Sequence, residues 1–183
     1  MLRLAKRGLR VVRLKGGDPS IFGRVGEEAA FLNNHGVATE VVPGVTAASA
    51  AAAQFDFPLT HRGEARRVVF TTATLESGVE GVDWSAAADR EATLAIYMGG
   101  QQAAQIGARL IASGRAPTTP VAIIESAGRP EARLTCATVA DLPALALETS
   151  GGPVLIVVGE VAAQARQAKD IEAFAPEFAR RLG

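Results

Sequence analysis

Short runs of apolar, β-branched residues separated by alanine-rich stretches place the strongest constraint on how this chain folds. This alternation is typical of an α/β fold, in which helices cover a parallel or mixed sheet. Residues 154–158 are uniformly apolar, which predicts a central strand buried on both faces. The predicted strands are 10–15, 37–42, 67–72, 93–98, 121–125, 132–137 and 154–159.

The stretches between the predicted strands have helical spacing. One of them stops at Gly36, a residue suited to a left-handed helix end. Residues 46–54 are nearly all alanine, which favours a helix that packs closely. Thr138 and Asp141 form a capping-box-like start, although Pro143 predicts that this helix is short or kinked. The predicted helices are 24–34, 46–54, 101–113, 138–146 and 159–167.

A segment with proline, glycine and polar residues, 58–63, predicts a linker between two sub-domains. Residues 1–57 would form the C-terminal part of a first α/β sub-domain, 64–168 a second sub-domain, and 169–183 a charged tail. Two strands in the first part would leave open sheet edges and little core. We therefore expect the first sub-domain to be truncated, with its other strands missing, or to pack on a partner.

Composition excludes several classes of function. The chain has 183 residues, 19 basic against 19 acidic, so it lacks the basic excess of a dedicated nucleic-acid binder. No apolar run approaches the roughly 20 residues of a membrane span, and the basic N-terminus lacks the apolar core of a signal peptide. A single cysteine, Cys136, favours a reducing cytoplasm and is predicted to be buried. With only His35 and His61 beside it, no metal site is predicted.

The first candidate site is the segment 14–23, LKGGDPSIFG, which follows a predicted strand. In doubly wound sheets, ligands bind beyond the carboxyl ends of strands. The pair Gly16 and Gly17 would let backbone N–H groups approach a ligand, and Asp18 could cap a helical turn or face a cationic group. Taken alone, however, the pattern is better explained as a strand-to-helix turn that uses these residues for geometry.

The second candidate is the segment 41–48, VVPGVTAA, which leads from a predicted strand into the alanine-rich helix. A helix N-terminus offers unpaired N–H groups and a positive partial charge to an anion or ribose, and Thr46 is a suitable N-cap. Taken alone, however, this segment is better explained as a capped helix whose alanines pack on a sheet. Neither segment matches a Walker loop or a dinucleotide fingerprint, so an ordinary ATP or NAD site is not indicated.

Taken together, ordered blocks over nearly the whole chain resemble the tetrapyrrole methylase family. The blocks are VVRLKGGDPSIFGRVGEE (11–28), VPGVTAA (42–48), PLTHR (58–62), YMG (97–99), PVAIIE (120–125) and PVLIVVGEV (153–161). The resemblance implies a two-domain α/β fold whose N-terminal domain is truncated here. It also implies S-adenosylmethionine as the cofactor, folded into the cleft between the domains, and a homodimer.

Motif by motif, the resemblance implies a set of cofactor contacts. These are Gly16, Gly17, Asp18, Ile21, Thr46, Ala47, Met98 and Ala127. The first four would surround the methionine end, and the next two would contact the cofactor from the helix start. Met98 would contact it by backbone or side chain, although considered alone this residue fits core packing. Ala127 would close the adenine side.

The implied reaction is methyl transfer from S-adenosylmethionine to C2 and C7 of uroporphyrinogen III, which gives precorrin-2 for siroheme and cobalamin synthesis. This small-molecule substrate is a polycarboxylate, so basic residues should bind it, with Lys15, Arg24 and Arg62 as candidates. Family members begin with a strand, a Gly-Pro-Gly-Asp loop, and an aspartate and a lysine with acid–base roles. This chain joins the pattern after them, so its catalytic residues are unknown.

Two other interpretations stay open. The chain could be a cofactor-binding or dimerisation module without turnover, because the family's first cofactor loop and acid–base residues are missing. It could also be a tetrapyrrole methylase that acts on another corrin-ring carbon, or on a protein or RNA. The PLTHR block at 58–62 and the LKGGDP block at 14–19 favour uroporphyrinogen III.

Overall fold

The structure, a computed structural model, describes residues 1–73, 84–145 and 151–166. The α/β class predicted from the sequence is confirmed. Two compact units are present, one from Met1 to Ala47 and one from Ala48 onward. The boundary precedes residue 57 because the alanine-rich helix packs on the sheet of the second unit. The predicted domain limits and the linker stay predictions.

The second unit is built on a five-stranded sheet with the order β1-β2-β5-β3-β4. β1 runs parallel to β2, whereas β5 runs antiparallel to both β2 and β3, and β4 is antiparallel to β3. The predicted central strand is confirmed, because β5 lies in the middle and all of its residues are buried. The strands are β1 (Arg67–Thr72), β2 (Ala92–Tyr97), β3 (Pro120–Glu125), β4 (Arg133–Thr138) and β5 (Val154–Val158).

A helix covers each face of this sheet. One face packs on α4 (Ala103–Ala112) in a core that includes Ile156 and Val158 of β5. The other face packs on α3 (Ala47–Gln54) in a core that includes Leu155 and Val157. Because successive strand residues point to opposite faces, this double covering explains why the run has no polar position.

Two predicted helices are wrong in type. In place of the helix predicted at 138–146, the structure has a 3₁₀ turn at Val139–Asp141. The predicted capping box is present at its start, and Pro143, which cannot continue a helix, follows closely. The helix predicted at 159–167 is a 3₁₀ helix, Glu160–Gln164. Residues 146 and 167, and the tail predicted at 169–183, lie outside the described residues.

The first unit contains α1 (Leu2–Ala5) and α2 (Val25–Asn34), which ends before a left-handed Gly36 as predicted. The strands predicted at 10–15 and 37–42 are wrong, since neither run forms a β-ladder among the residues that the structure describes. Val12 is 73%, Leu14 81% and Val42 72% exposed. A run of β-branched residues indicates strand propensity, but a strand also needs a partner that pairs with it.

Cys136 lies on β4, an edge strand of the sheet, and it is exposed. The predicted burial is therefore wrong, because an edge strand is covered less completely than the central strands. Its Sγ lies 3.8 Å from the carbonyl oxygen of Ala165, so the thiol still contacts the main chain on one side.

Candidate functional site

The carboxylate of Asp18 organises the first candidate loop. It accepts a hydrogen bond from the Ser20 N–H at 2.8 Å and another from the Ser20 hydroxyl. Its second oxygen accepts the N–H of Gly44, in the second candidate loop, at 2.9 Å. These bonds lower the pKa of Asp18 from its ordinary value, with the Ser20 hydroxyl as the largest cause. One side chain therefore orders its own turn and joins the two loops.

The backbones of the two loops also touch directly. A Cβ placed on Gly44 would lie 3.0 Å from the Gly17 carbonyl oxygen, and one placed on Gly17 would lie 3.3 Å from the Val45 carbonyl oxygen. A side chain at either position would be crowded, and the opposing main chain would have to move by a few tenths of an ångström to admit it. At Gly16, by contrast, no heavy atom lies within 4 Å of such a Cβ. The structure thus brings the two glycine segments together and leaves Gly16 facing open space, where a cofactor could fit.

Lys15 links the start of the first loop to its end and to α2. Its ammonium lies 2.6 Å from a carboxylate oxygen of Glu28 and donates to the carbonyl oxygen of Gly23 at 2.6 Å. The hydrogen bond from Lys15 is the largest cause of the lowered pKa of Glu28. This basic residue thus already neutralises a carboxylate and ties the ends of the loop to α2.

A cavity of about 570 Å³ lies beside these loops within the first unit. The runs 9–15 and 37–44 and one side of α2 form most of its wall. It reaches the two loops at Gly17 and Gly44, whereas Gly16 is not part of its lining. Of the eight predicted cofactor contacts, Gly17 alone belongs to the lining of this cavity.

The other predicted basic residues lie in different settings. Arg24 precedes α2 in a left-handed conformation, and its guanidinium lies 2.7 Å from Glu27. Arg62 is exposed in a tight turn whose ends, His61 and Ala65, exchange two backbone hydrogen bonds of 3.0 Å. The prediction that Lys15, Arg24 and Arg62 contact the substrate stays a prediction.

In the second unit, the predicted residues Met98 and Ala127 lie at one edge of the sheet. β2 and β3 are both antiparallel to β5, so their carboxyl ends reach the same edge, on either side of the start of β5. Met98 directly follows β2 and is 48% exposed, and Ala127 follows β3. Ligands commonly bind at such an edge.

The start of α3 is attached to this same edge of the sheet. The N–H of Ala48 donates to the Tyr97 hydroxyl oxygen at 3.2 Å, and Tyr97 is the last residue of β2. Thr46 and Ala47, both predicted cofactor contacts, immediately precede Ala48. The helix start, with its positive partial charge, is therefore fixed at the residue before Met98.

Backbone strain marks several of these segments. Phe22 and Arg24 in the first unit, and Met98 and Ser126 in the second, have positive φ values of 52°, 57°, 58° and 55°. Non-glycine residues in this conformation cost free energy and are enriched at functional sites. Four of the five such residues thus lie in or next to the segments that the sequence singled out, and the fifth is Asp56, with a φ of 51°.

Comparison with known proteins identifies the family. A family model described as Tetrapyrrole (Corrin/Porphyrin) Methylases matches residues 1–143 of the chain. The chain belongs to the tetrapyrrole methylase family. The resemblance inferred from the sequence is thereby confirmed, and the cofactor of this methyltransferase family is S-adenosylmethionine.

Relatives of this tetrapyrrole methylase include siroheme synthase 1 of Yersinia enterocolitica, which is 50% identical over 161 residues. That match covers 88% of the chain and 34% of the relative, so the chain spans about a third of the length of the curated relatives it matches. A uroporphyrin-III C-methyltransferase from Thermus thermophilus, solved with S-adenosyl homocysteine, is 40% identical, with a TM-score of 0.75 and 87% and 67% of the two chains covered. A cobalt precorrin-4 methyltransferase is 30% identical, with a TM-score of 0.77 and 88% and 68% covered.

The described ranges 1–73, 84–145 and 151–166 contain neither a metal-binding cluster nor a membrane-spanning helix. No group of three or more His, Cys, Asp or Glu side chains there could hold a metal ion. None of the helices in those ranges combines the length and the hydropathy that crossing a bilayer demands.

Sequence reasoning missed three residues that shape the site of this methylase. Gly44 was part of a quoted block but was not predicted to contact the first loop, and Tyr97 was not predicted to hold α3. Gln54 was also missed, although a polar residue at the end of an almost pure alanine helix is a recognisable signal. Tyr97 carries no such signal, since an aromatic residue at a strand end usually packs in the core.

Asp18 provides a pH test of the link between the loops. Because its folded-state pKa is lowered, the bond to Gly44 contributes stability above the unfolded-state pKa and loses it as the pH falls through the folded-state pKa. We expect the Gly44 amide resonance to titrate with a midpoint below 3.8, the ordinary value. Nuclear magnetic resonance of the folded chain measures it.

Two substitutions separate the causes. Asp18→Asn removes the titration altogether, whereas Ser20→Ala keeps the Gly44 bond and moves the midpoint upward, because the Ser20 hydroxyl is the largest cause of the lowered pKa. A Gly44 amide resonance that titrates in the same way in Asp18→Asn contradicts the assignment.

Proposed function

We propose that this chain methylates uroporphyrinogen III at C2 and C7 with S-adenosylmethionine, giving precorrin-2 for siroheme or cobalamin synthesis. The observation that carries the proposal is the joined pair of glycine loops, in which Asp18 accepts the N–H of Gly44 and Gly16 faces open space. The sequence identity with siroheme synthase 1 and with the Thermus thermophilus enzyme supports uroporphyrinogen III as the substrate. We expect the chain to act as a cytoplasmic homodimer on this small molecule, without nucleic acid or membrane.

Within this proposal, the chain's residues mainly bind and orient. The backbone N–H groups of Gly16 and Gly17 bind the methionine end of the cofactor, with Asp18 and Ile21 beside them. The cofactor supplies a methyl group that its sulfonium has already activated. Holding donor and acceptor in line and excluding water then lowers the barrier.

The remaining contacts are assigned to the other predicted cofactor residues. Thr46 and Ala47 contact the cofactor from the start of α3, whose N–H groups and positive partial charge suit a negative or polar group. Met98, strained and exposed after β2, contacts it as well, and Ala127 closes the adenine side. Their residue types fit this role, since small residues leave room for a flat ring and a polarisable thioether packs favourably against one.

The substrate's carboxylates require cations. Among the three candidates, Lys15 would have to exchange Glu28 for a substrate carboxylate, and Arg24 would have to exchange Glu27. We therefore propose that Arg62, exposed in its tight turn, makes the largest contribution to substrate affinity. A base must also remove a proton after each methylation, and we assign that role to no residue of the described chain.

The proposal is tested by incubating the chain with S-adenosylmethionine and uroporphyrinogen III. The expected product has gained two methyl groups, read by absorbance and mass. Binding of S-adenosyl homocysteine is measured in parallel by calorimetry, for this chain and for a version extended at its amino end with the matching segment of a siroheme synthase. Absence of binding in both versions contradicts the proposal.

A second candidate, methylation of another corrin-ring carbon, is favoured by the similarity to the cobalt precorrin-4 methyltransferase. The same assay with later corrin intermediates distinguishes it, because the product mass and spectrum then change only with those substrates. Binding of S-adenosyl homocysteine without methyl transfer to any tested tetrapyrrole favours a module without turnover.

A further inference from the structure

The amide of Gln54, the last residue of α3, binds the main chain of the turn that follows β3. Its Nε2 donates to the carbonyl oxygen of Arg129 at 2.9 Å, and its Oε1 accepts the N–H of Gly128 at 2.8 Å. The partners lie more than 70 residues along the chain, at separations of 75 and 74. A single side chain thus uses both its donor and its acceptor on the backbone of one turn.

The turn, residues 126–131, also lies against α3. Gly128 has a φ of +81°, and a Cβ placed on it would lie 3.4 Å from the Cβ of Ala50. Two small residues therefore permit the close approach that the amide of Gln54 then fixes. The other described hydrogen bonds of the turn are local, such as Arg129 N–H to the Ser126 carbonyl oxygen at 3.1 Å, apart from one between Ser126 N–H and the Pro153 carbonyl oxygen at 2.9 Å.

α3 thereby contacts the end of β2 and the turn that follows β3, on either side of β5. At its start, Ala48 donates to Tyr97 at the end of β2, and at its end, Gln54 holds the turn after β3. The predicted cofactor residues Met98 and Ala127 are the immediate neighbours of these anchors. The helix can therefore set the positions of both segments before a ligand binds.

We propose that Gln54 is a positioning residue that holds the 126–131 turn, and with it Ala127, in the place where the turn meets the adenosyl part of the cofactor. This inference rests on the proposed function, since it takes the Ala127 contact from there. A turn without these two bonds would sample other conformations, and binding would have to pay for ordering it. Gln54 itself does not contact the reacting atoms, so its effect falls on affinity and not on the methyl transfer.

The test compares Gln54→Met, which keeps the length of the side chain but removes both bonds, with Gln54→Glu, which keeps only the acceptor for Gly128. For Gln54→Met we expect about a tenfold rise in the Kd for S-adenosyl homocysteine and for adenosine, and in the KM for S-adenosylmethionine. The value of kcat should change less than about twofold. Gln54→Glu should fall between Gln54→Met and the unchanged chain.

A matched control is Gln105→Met, the same exchange at an exposed position of α4, which should leave Kd and KM unchanged. Amide hydrogen exchange reports the turn directly: the Gly128 N–H should exchange faster in Gln54→Met. Urea unfolding checks that each variant folds. If Gln54→Met does not fold, Gln54→Glu alone tests the inference.

Three results would overturn the inference. If Gly128 exchanges faster but Kd and KM do not change, the bonds are only structural. If kcat falls by as large a factor as KM rises, Gln54 does more than position the turn. If neither the unchanged chain nor its amino-extended version binds S-adenosyl homocysteine or adenosine, the proposed function itself fails, and this result is seen before any variant is made.

Discussion

Replacing Arg115 with methionine should lower the free energy of unfolding by about 3 kcal/mol. Arg115 is 3% exposed, and its guanidinium donates to three backbone carbonyl oxygens: Ala92 at 2.9 Å, Ala87 at 3.3 Å, and Asp89. These carbonyls belong to residues 87–92, which lead into β2 and include its first residue. No charged side chain of this described segment is buried. Methionine fills similar space but leaves the carbonyls without their donor.

The charge of Arg115 explains the size of this effect. Burial lowers the pKa of its guanidinium, while Glu160 and Asp89 oppose that change. A guanidinium remains protonated even so, and hydrogen bonds from a charged donor are stronger than those between neutral groups. Removing one member of such a buried arrangement is therefore more damaging than removing a surface ion pair.

Urea unfolding of Arg115→Met, Arg115→Lys and Arg90→Met measures the effect. Arg90 lies exposed in the same segment, so its replacement should change the free energy of unfolding by less than about 0.5 kcal/mol. Lysine at position 115 can donate to some of the carbonyls and should give an intermediate loss. Equal stability of Arg115→Met and Arg90→Met would show that the guanidinium does not hold this segment.

The strands of the second unit could be predicted from the sequence, but their order in the sheet could not. All five of its strands were predicted within a residue at each end. The central strands are recognisable because strands covered on both faces lack polar positions, and the edge strands β1 and β4 because they are rich in β-branched residues or alternate with polar ones. The burial of Arg115 could not be predicted, since arginine is usually exposed. The residues around it in sequence also do not indicate that three backbone carbonyls would accept its hydrogen bonds. The strands predicted at 10–15 and 37–42 failed for a related reason: composition reports propensity, while pairing depends on residues distant in sequence.

The same limit applies to the candidate site. Each glycine loop was recognisable by itself, from its place after an apolar run and from the family blocks. The hydrogen bond between Asp18 and Gly44 could not be predicted, because the two residues are 26 positions apart in sequence and neither local pattern indicates its partner. Asp18 was predicted as a cofactor contact, and the structure adds that its carboxylate already joins the two loops.

Replacing Gly44 with alanine should weaken binding of S-adenosyl homocysteine by at least about tenfold. The new Cβ would lie 3.0 Å from the carbonyl oxygen and 3.2 Å from the carbonyl carbon of Gly17. Both atoms belong to the main chain and cannot rotate away, so the loops must separate. The Asp18 bond to the Gly44 N–H would then lengthen, and the first loop would lose its anchor.

Gly16→Ala separates a loss of loop geometry from a loss of ligand contact. Its Cβ meets no heavy atom within 4 Å, so the fold and the Gly44 amide resonance should stay unchanged. If the cofactor occupies that open space, affinity should nevertheless fall. Gly26→Ala, in α2, also meets nothing within 4 Å and serves as the control, with unchanged affinity and a slightly more stable helix. Normal binding by Gly16→Ala would mean that the glycine pair serves only the contact between the loops, and that the cofactor lies elsewhere.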